Sequence, residues 1–206
     1  GPSGLTVGPG GPLGSLVLDA GDVLTVDNTT TIASGGKIAV DGTFFSDLLQ
    51  IDSGGQFDAP SGYTNNDEIH LSGVNARITG STLTNNGFIS GQGRINASLT
   101  NNGHVNLSNG TLRFGSQVTN DGHVNVTNGT LNFSAQVTNN ASGFIGGRGT
   151  FFRFGDGLMN AGEIGLSVGL HDILGSIVNT ATGRIMVAGQ STATFYDDVA
   201  NDGDIF

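Results

Sequence analysis

LTNNGHVNLSNGTLRFGSQ, Leu99 to Gln117, is followed without a gap by VTNDGHVNVTNGTLNFSAQ, Val118 to Gln136, and a further copy opens with VTNN at Val137. The two phrases match at Asn101 and Asn120, Gly103 and Gly122, His104 and His123, Gly110 and Gly129, and Phe114 and Phe133. A fixed period near twenty residues is the signature of a stacked repeat, and it bounds the reading of every other motif.

Within each copy the apolar residues alternate with polar ones. Val105, Leu107, Leu112 and Phe114 stand against Asn106, Thr111 and Arg113, and the next copy repeats this with Val124, Val126, Leu131 and Phe133 against Asn125, Thr130 and Asn132. Period-two alternation is that of a half-buried strand. The abundance of Gly, Asn, Thr, Val and Phe, with little Glu or Lys, runs against helix preference. A unit of about twenty residues cannot bury one face of its strands alone, so copies must wind and stack. The expected fold is all-β, a single-stranded parallel β-helix (β-solenoid) of about ten coils of roughly 19–20 residues, in which identical residues align in columns about 4.8 Å apart.

Outward from the central phrase the same step, a polar residue followed by an apolar anchor, recurs at Ile38 (SGGKIAV), Phe57 (SGGQFDA), Ile69, Ile89, Val105, Val124, Ile145, Ile164, Ile185 and Ile205. The intervals are 19, 12, 20, 16, 19, 21, 19, 21 and 20 residues. The short interval before Ile69 marks a defect or an irregular coil on this reading. Residues 1–15, GPSGLTVGPGGPLGS, contain three of the four prolines, which interrupt strand ladders, and are expected to form a flexible Gly/Pro-rich leader or an irregular cap; residues 16–206 form the repeat domain.

Composition narrows the function classes. The 206 residues include 36 glycines, no cysteine, only 7 Lys plus Arg, and a formal charge of −10. No disulfide framework or thiolate metal site can be built. The negative charge and the lack of any Lys/Arg run argue against nucleic acid and anionic lipid as partners. No apolar run reaches the roughly 18 residues of a membrane span, so no membrane insertion is expected.

Asn85, Asn101, Asn120, Asn139, Asn160, Asn179 and Asn201 each stand two places after an inward apolar residue, where the coil must turn. Asn tolerates left-handed backbone geometry and its amide can bond along a stack, so a structural corner ladder is expected there. The position before each anchor faces outward and carries Phe88, His104, His123 and Phe144 in successive copies, a surface contact stripe for a partner or a sugar. Two stacked histidines without a third donor do not make a metal site, and none is assigned. Acidic residues gather at Asp19, Asp22 and Asp27 and at Asp197, Asp198, Asp202 and Asp204; calcium suits such turns, but no calcium-loop motif marks it, and no cofactor is expected. No nucleophile elbow, phosphate loop or His-Glu zinc motif occurs, and the chain is read as non-enzymatic.

The phrases LTNNGHVNL, VTNDGHVNV and SGGKIAV resemble bacterial surface β-solenoids: autotransporter passengers, filamentous-haemagglutinin-type adhesins and related repeat proteins. The resemblance covers about Leu16 to Phe206 and implies export to the surface of a Gram-negative-type bacterium and a right-handed, roughly triangular coil. It points to a structural or adhesive module, with further repeats or copies of itself end to end and host or matrix carbohydrate or protein as partners. The chain stops one strand into a coil, so Ile205 and Phe206 would form an assembly edge that Leu5 and Val7 of another copy could complete. Two other readings are a β-helix polysaccharide lyase, hydrolase or carbohydrate-binding domain, and an ice-binding protein displaying the threonine columns Thr84, Thr100, Thr119 and Thr138, or Thr111, Thr130, Thr150 and Thr192.

Overall fold

The computed structural model describes residues 4–9 and 14–206. These form an all-β, parallel β-solenoid of about ten turns, with no helix among them. Each coil presents three faces in chain order, and the coil at the centre of the duplicated phrase illustrates them. The strand His104–Phe114 supplies the first face (104–108) and, past a corner at Asn109 and Gly110, the second face (111–114); Val118–Asn120 supplies the third. A tight turn at Asp121 and Gly122 then starts the next coil, His123–Phe133.

Stacking is parallel and in register. His104 pairs with His123, Val105 with Val124, Leu112 with Leu131 and Phe114 with Phe133. Because strand side chains alternate, equal register puts equal residues on equal sides. The first face buries a column that runs Ile69, Ile89, Val105, Val124, Ile145, Ile164, Ile185. The second buries Ile38, Phe57, Ile78, Ile95, Phe114, Phe133 and Phe154, with the last three rings stacked at 4.8 and 5.3 Å. The third buries Leu83, Leu99, Val118, Val137, Leu158 and Ile177.

The short interval before Ile69 is not a defect. Phe57 pairs with Ile78, whereas Ile69 pairs with Leu49 and Ile89. SGGKIAV and SGGQFDA therefore lie on the second face and NNGHVNL on the first; both follow a glycine turn, so their local signals coincide although their columns do not. The coil that is short lies further on, between Asn85 and Asn101, which are sixteen residues apart. There the corner is tightened at Gly91, whose φ of +87° suits glycine and where a Cβ would fall 2.1 Å from the Leu71 carbonyl oxygen.

The expected leader is partly built into the stack. Leu5–Val7 is a strand paired with Thr30–Ile32, Val7 is fully buried, and Ser15–Leu18 pairs with Lys37–Val40. The remainder of that stretch, residues 1–3 and 10–13, lies outside the described residues.

The corner between the first and second faces uses left-handed backbone. Asn109 (φ 64°), Asn128 (φ 51°) and Gly149 (φ 57°) suit it; Val168 (φ 51°) does not, because a β-branched side chain crowds the carbonyl there. Val168 is 45% exposed, so little packing holds it in place. Replacing it with the residue found at this corner in two earlier coils, Val168→Asn, is expected to stabilise the protein by about 1 kcal/mol in a denaturant titration; a loss of stability would show that packing at Val168 outweighs the strain.

Candidate functional site

Asparagines at the end of the third face form a continuous interior ladder. From Asn65 the side-chain Nδ2 donates to Oδ1 of Asn85, and so on through Asn101, Asn120, Asn139, Asn160, Asn179 and Asn201, every step at 2.7–2.8 Å. Asn85 to Asn179 are fully buried. From Asn65 to Asn179 the second N–H of each amide is shared between a carbonyl two to four residues on, as Asn120 with Gly122 at 3.1 Å, and one in the next coil, as Asn120 with Phe144 at 3.3 Å; Asn201 donates to Gly203 alone. The sequence reading missed Asn65, where the phrase is YTNND rather than TNNG. One coil earlier the equivalent place holds buried Ser46, whose Oγ lies 2.9 Å from the Leu48 carbonyl.

The outward first-face stripe is real as a column: Glu68, Phe88, His104, His123, Phe144, Glu163, Arg184 and Asp204 are in register. Lys37 and Gln56 do not belong to it, because they stand on the second face. Phe88, His104 and His123 stack at 5.0 Å with 10° between planes, so each ring covers its neighbour's face and the strip presents mainly edges. Phe144 leaves that stack, tilted 52° from His123, and lies over Gly146 and Gly165, whose Cβ positions would be 2.5 and 3.0 Å from its ring. It borders a shallow concavity of about 260 Å³ with Asn125, Arg148 and Ser167 at its rim. The two imidazoles stand between phenyl rings, and among the described residues no three His, Asp or Glu side chains gather as metal ligands would.

The two expected assembly-edge pairs lie at opposite ends of the stack. Leu5 and Val7 pair with Thr30 and Ile32, while Ile205 pairs with Ile185 and is 47% exposed. Phe206 extends this pairing through its backbone, and its ring sits 5.4 Å from the Arg184 guanidinium carbon. Of the two threonine columns, Thr84, Thr100, Thr119 and Thr138 do align, joined by Thr64. The second does not: Thr130 is followed by Phe151, Thr150 is buried, and Thr192 pairs with Leu170.

One arrangement was absent from the sequence reading. On the second face Lys37, Gln56, Arg77, Arg94, Arg113, Asn132 and Arg153 are successive members of one outward column. Five of the seven basic residues thus share a single line, one coil apart from Arg77 to Arg113 and two coils apart where Gln56 and Asn132 intervene. The spacing of Arg77, Arg94 and Arg113 was the available signal.

Compared with protein-family models, curated proteins and solved structures, the chain has no significant match.

Inside the later coils His171 is 1% exposed. Its Nδ1 lies 2.9 Å from the buried Thr150 hydroxyl, and its Nε2 has no hydrogen-bond partner among the described residues. Burial holds its pKa below the ordinary 6.5, with the Ser167 backbone pulling in the opposite direction. The folded state therefore resists a proton that the unfolded chain accepts. Stability from this site is fully present above pH 6.5 and declines as pH falls from there toward the lowered folded value. Unfolding midpoints measured between about pH 7.5 and about pH 5 should fall more steeply for the native protein than for His171→Gln; equal slopes would contradict the assignment.

Proposed function

We propose that this chain is a non-enzymatic structural or adhesive module of a bacterial surface protein, a stiff segment that extends by adding coils. The observation that carries this reading is the interior amide ladder. Buried hydrogen-bonding side chains are a scarce resource in a small core, and here eight asparagines in one column serve the joining of coil to coil. A rod of about ten coils on a 4.8 Å step is about 50 Å long, a spacer's dimension.

Surface export, a right-handed winding and a Gram-negative-type source belong to the same proposal, and rest on the resemblance of the repeat phrases to surface solenoids. End-to-end growth is its natural extension. Further repeats or copies of itself end to end, and host or matrix carbohydrate or protein, are the partners this reading implies, and they rest on the same resemblance.

The experiment is incubation of the purified chain with neutral and anionic polysaccharides, with and without calcium, followed by light scattering and a reducing-end assay. Unchanged polymer mass is the expected result. New chain ends, abolished by a point substitution in the protein, would overturn the non-enzymatic reading in favour of a lyase or hydrolase.

A further inference from the structure

We infer that the arginine column of the second face is a binding track for a linear anionic polysaccharide. Arg77, Arg94 and Arg113 are consecutive cross-strand partners, and after neutral Asn132 the column resumes at Arg153. All four arginines are exposed, and none makes a salt bridge among the described residues, whose ion pairs are Lys37–Asp58 and Arg184–Glu163. From Arg77 to Arg153 the track is about 19 Å long, four inter-strand steps.

The fold does not need these charges. Other places in the same column hold Ser15, Gln56, Asn132 and Leu174, so neutral side chains serve the strand equally well. Like charges directly opposite one another in a sheet are unfavourable. A chain with a formal charge of −10 nevertheless keeps its few cations together. Asp58, the nearest acid in the preceding coil, is held by Lys37 at 2.9 Å and accepts from Thr79 at 2.7 Å. Two positions along the strand from Arg77, Arg94 and Arg113, on the same outward side, stand Asn75, Thr79, Asn96 and Thr111, all neutral hydrogen-bonding groups, whereas Arg153 is flanked by Phe151, whose partner in the next coil is Asp172.

This chemistry describes the ligand. A guanidinium fork takes a carboxylate or a sulfate with two parallel hydrogen bonds. An acidic glycan carries such groups at intervals of a sugar ring or two, the scale of the strand step, and its hydroxyls would meet the flanking amides and hydroxyls. A nucleic acid strand fits less well. Single-strand binders pair their basic groove with aromatic platforms on which successive bases stack; the outward positions beside Arg77, Arg94 and Arg113 contain no aromatic residue, and Phe151, beside Arg153, is a single ring.

The inference deepens the adhesive reading above and rests on it. Its test is calorimetric titration at low salt of the whole chain with polygalacturonate, dextran sulfate, uncharged dextran and oligodeoxythymidylate. The native chain should bind at least one anionic glycan and not dextran. Binding of polygalacturonate alone identifies carboxylate, and binding of dextran sulfate alone identifies sulfate, as the recognised group. The triple variant Arg77→Gln, Arg94→Gln, Arg113→Gln should bind about tenfold or more weakly and show a reduced salt slope. Arg184→Gln, on the first face, should bind as the native chain does. The triple variant should melt no lower than the native chain, which separates lost binding from lost folding. No binding to either anionic glycan, undiminished binding by the triple variant, or tighter binding to oligodeoxythymidylate would overturn the inference. Cleavage of a bound glycan would overturn the module reading and leave the track in place; failure to bind would do the reverse.

Discussion

The hydrogen bond from one buried asparagine amide to the next, at 2.7–2.8 Å, is the interaction on which the rest of the solenoid depends. An amide has a donor end and an acceptor end, so each rung fixes the orientation of the one after it. Slipping a strand by one residue would turn the asparagine to solvent and put its neighbour, such as Thr119, Met159 or Val178, in the ladder's place. In the interior, an unpaired amide costs more than its hydrogen bond contributes, so the column specifies register more strongly than it adds net stability. A second, more exposed row runs beside it in the reverse sense: Asn86 donates to Asn66, Asn102 to Asn86, and the half-buried Asn140 to Asp121, each at 2.9 Å. The interior row donates toward later coils and the outer row toward earlier ones, so their dipoles oppose.

With register fixed, the two sides of each strand separate in role. Inward columns are committed to Ile, Leu, Val and Phe, and outward columns are free to vary from coil to coil. This freedom is visible on the third face, where five threonines are followed by Met159 and Val178, and on the second, where arginines interrupt neutral residues. The best-preserved repeat, Leu99 to Gln136, is therefore the least informative about ligands. The outward variation, such as Phe144 beside two glycines and Arg113 opposite Asn132, is where one coil differs from the next. The later coils depart at a corner and in the interior as well, with strained, exposed Val168 and the half-satisfied, buried His171, and are expected to be less stable than the earlier ones.

Much of this was legible in the chain. Alternation at Val105, Leu107, Leu112 and Phe114 identifies strands, and the nineteen-residue period identifies parallel stacking. What was misread follows from one ambiguity. A glycine, a polar residue and an apolar anchor begin a strand after either of two turns, and the local sequence does not say which. Taking Ile69 as the successor of Phe57 aligns Gln56 with Glu68, and the basic column vanishes; pairing Phe57 with Ile78 aligns Gln56 with Arg77 and reveals it. Ring orientation was beyond sequence altogether. The tilt of Phe144 depends on the absence of a side chain at both Gly146 and Gly165, one coil apart.

The most direct test of the account is the difference in unfolding free energy between two asparagine-to-alanine variants. Asn120 is wholly buried with a rung on each side, whereas Asn201 is exposed and receives a rung only from Asn179. Asn120→Ala leaves an N–H of Asn101 and the Oδ1 of Asn139 unpartnered in the interior and should cost about 2–4 kcal/mol, while Asn201→Ala should cost less than about 1 kcal/mol. Equal losses at the two positions, or a negligible loss at Asn120, would contradict the claim that the buried amide ladder holds the coils together.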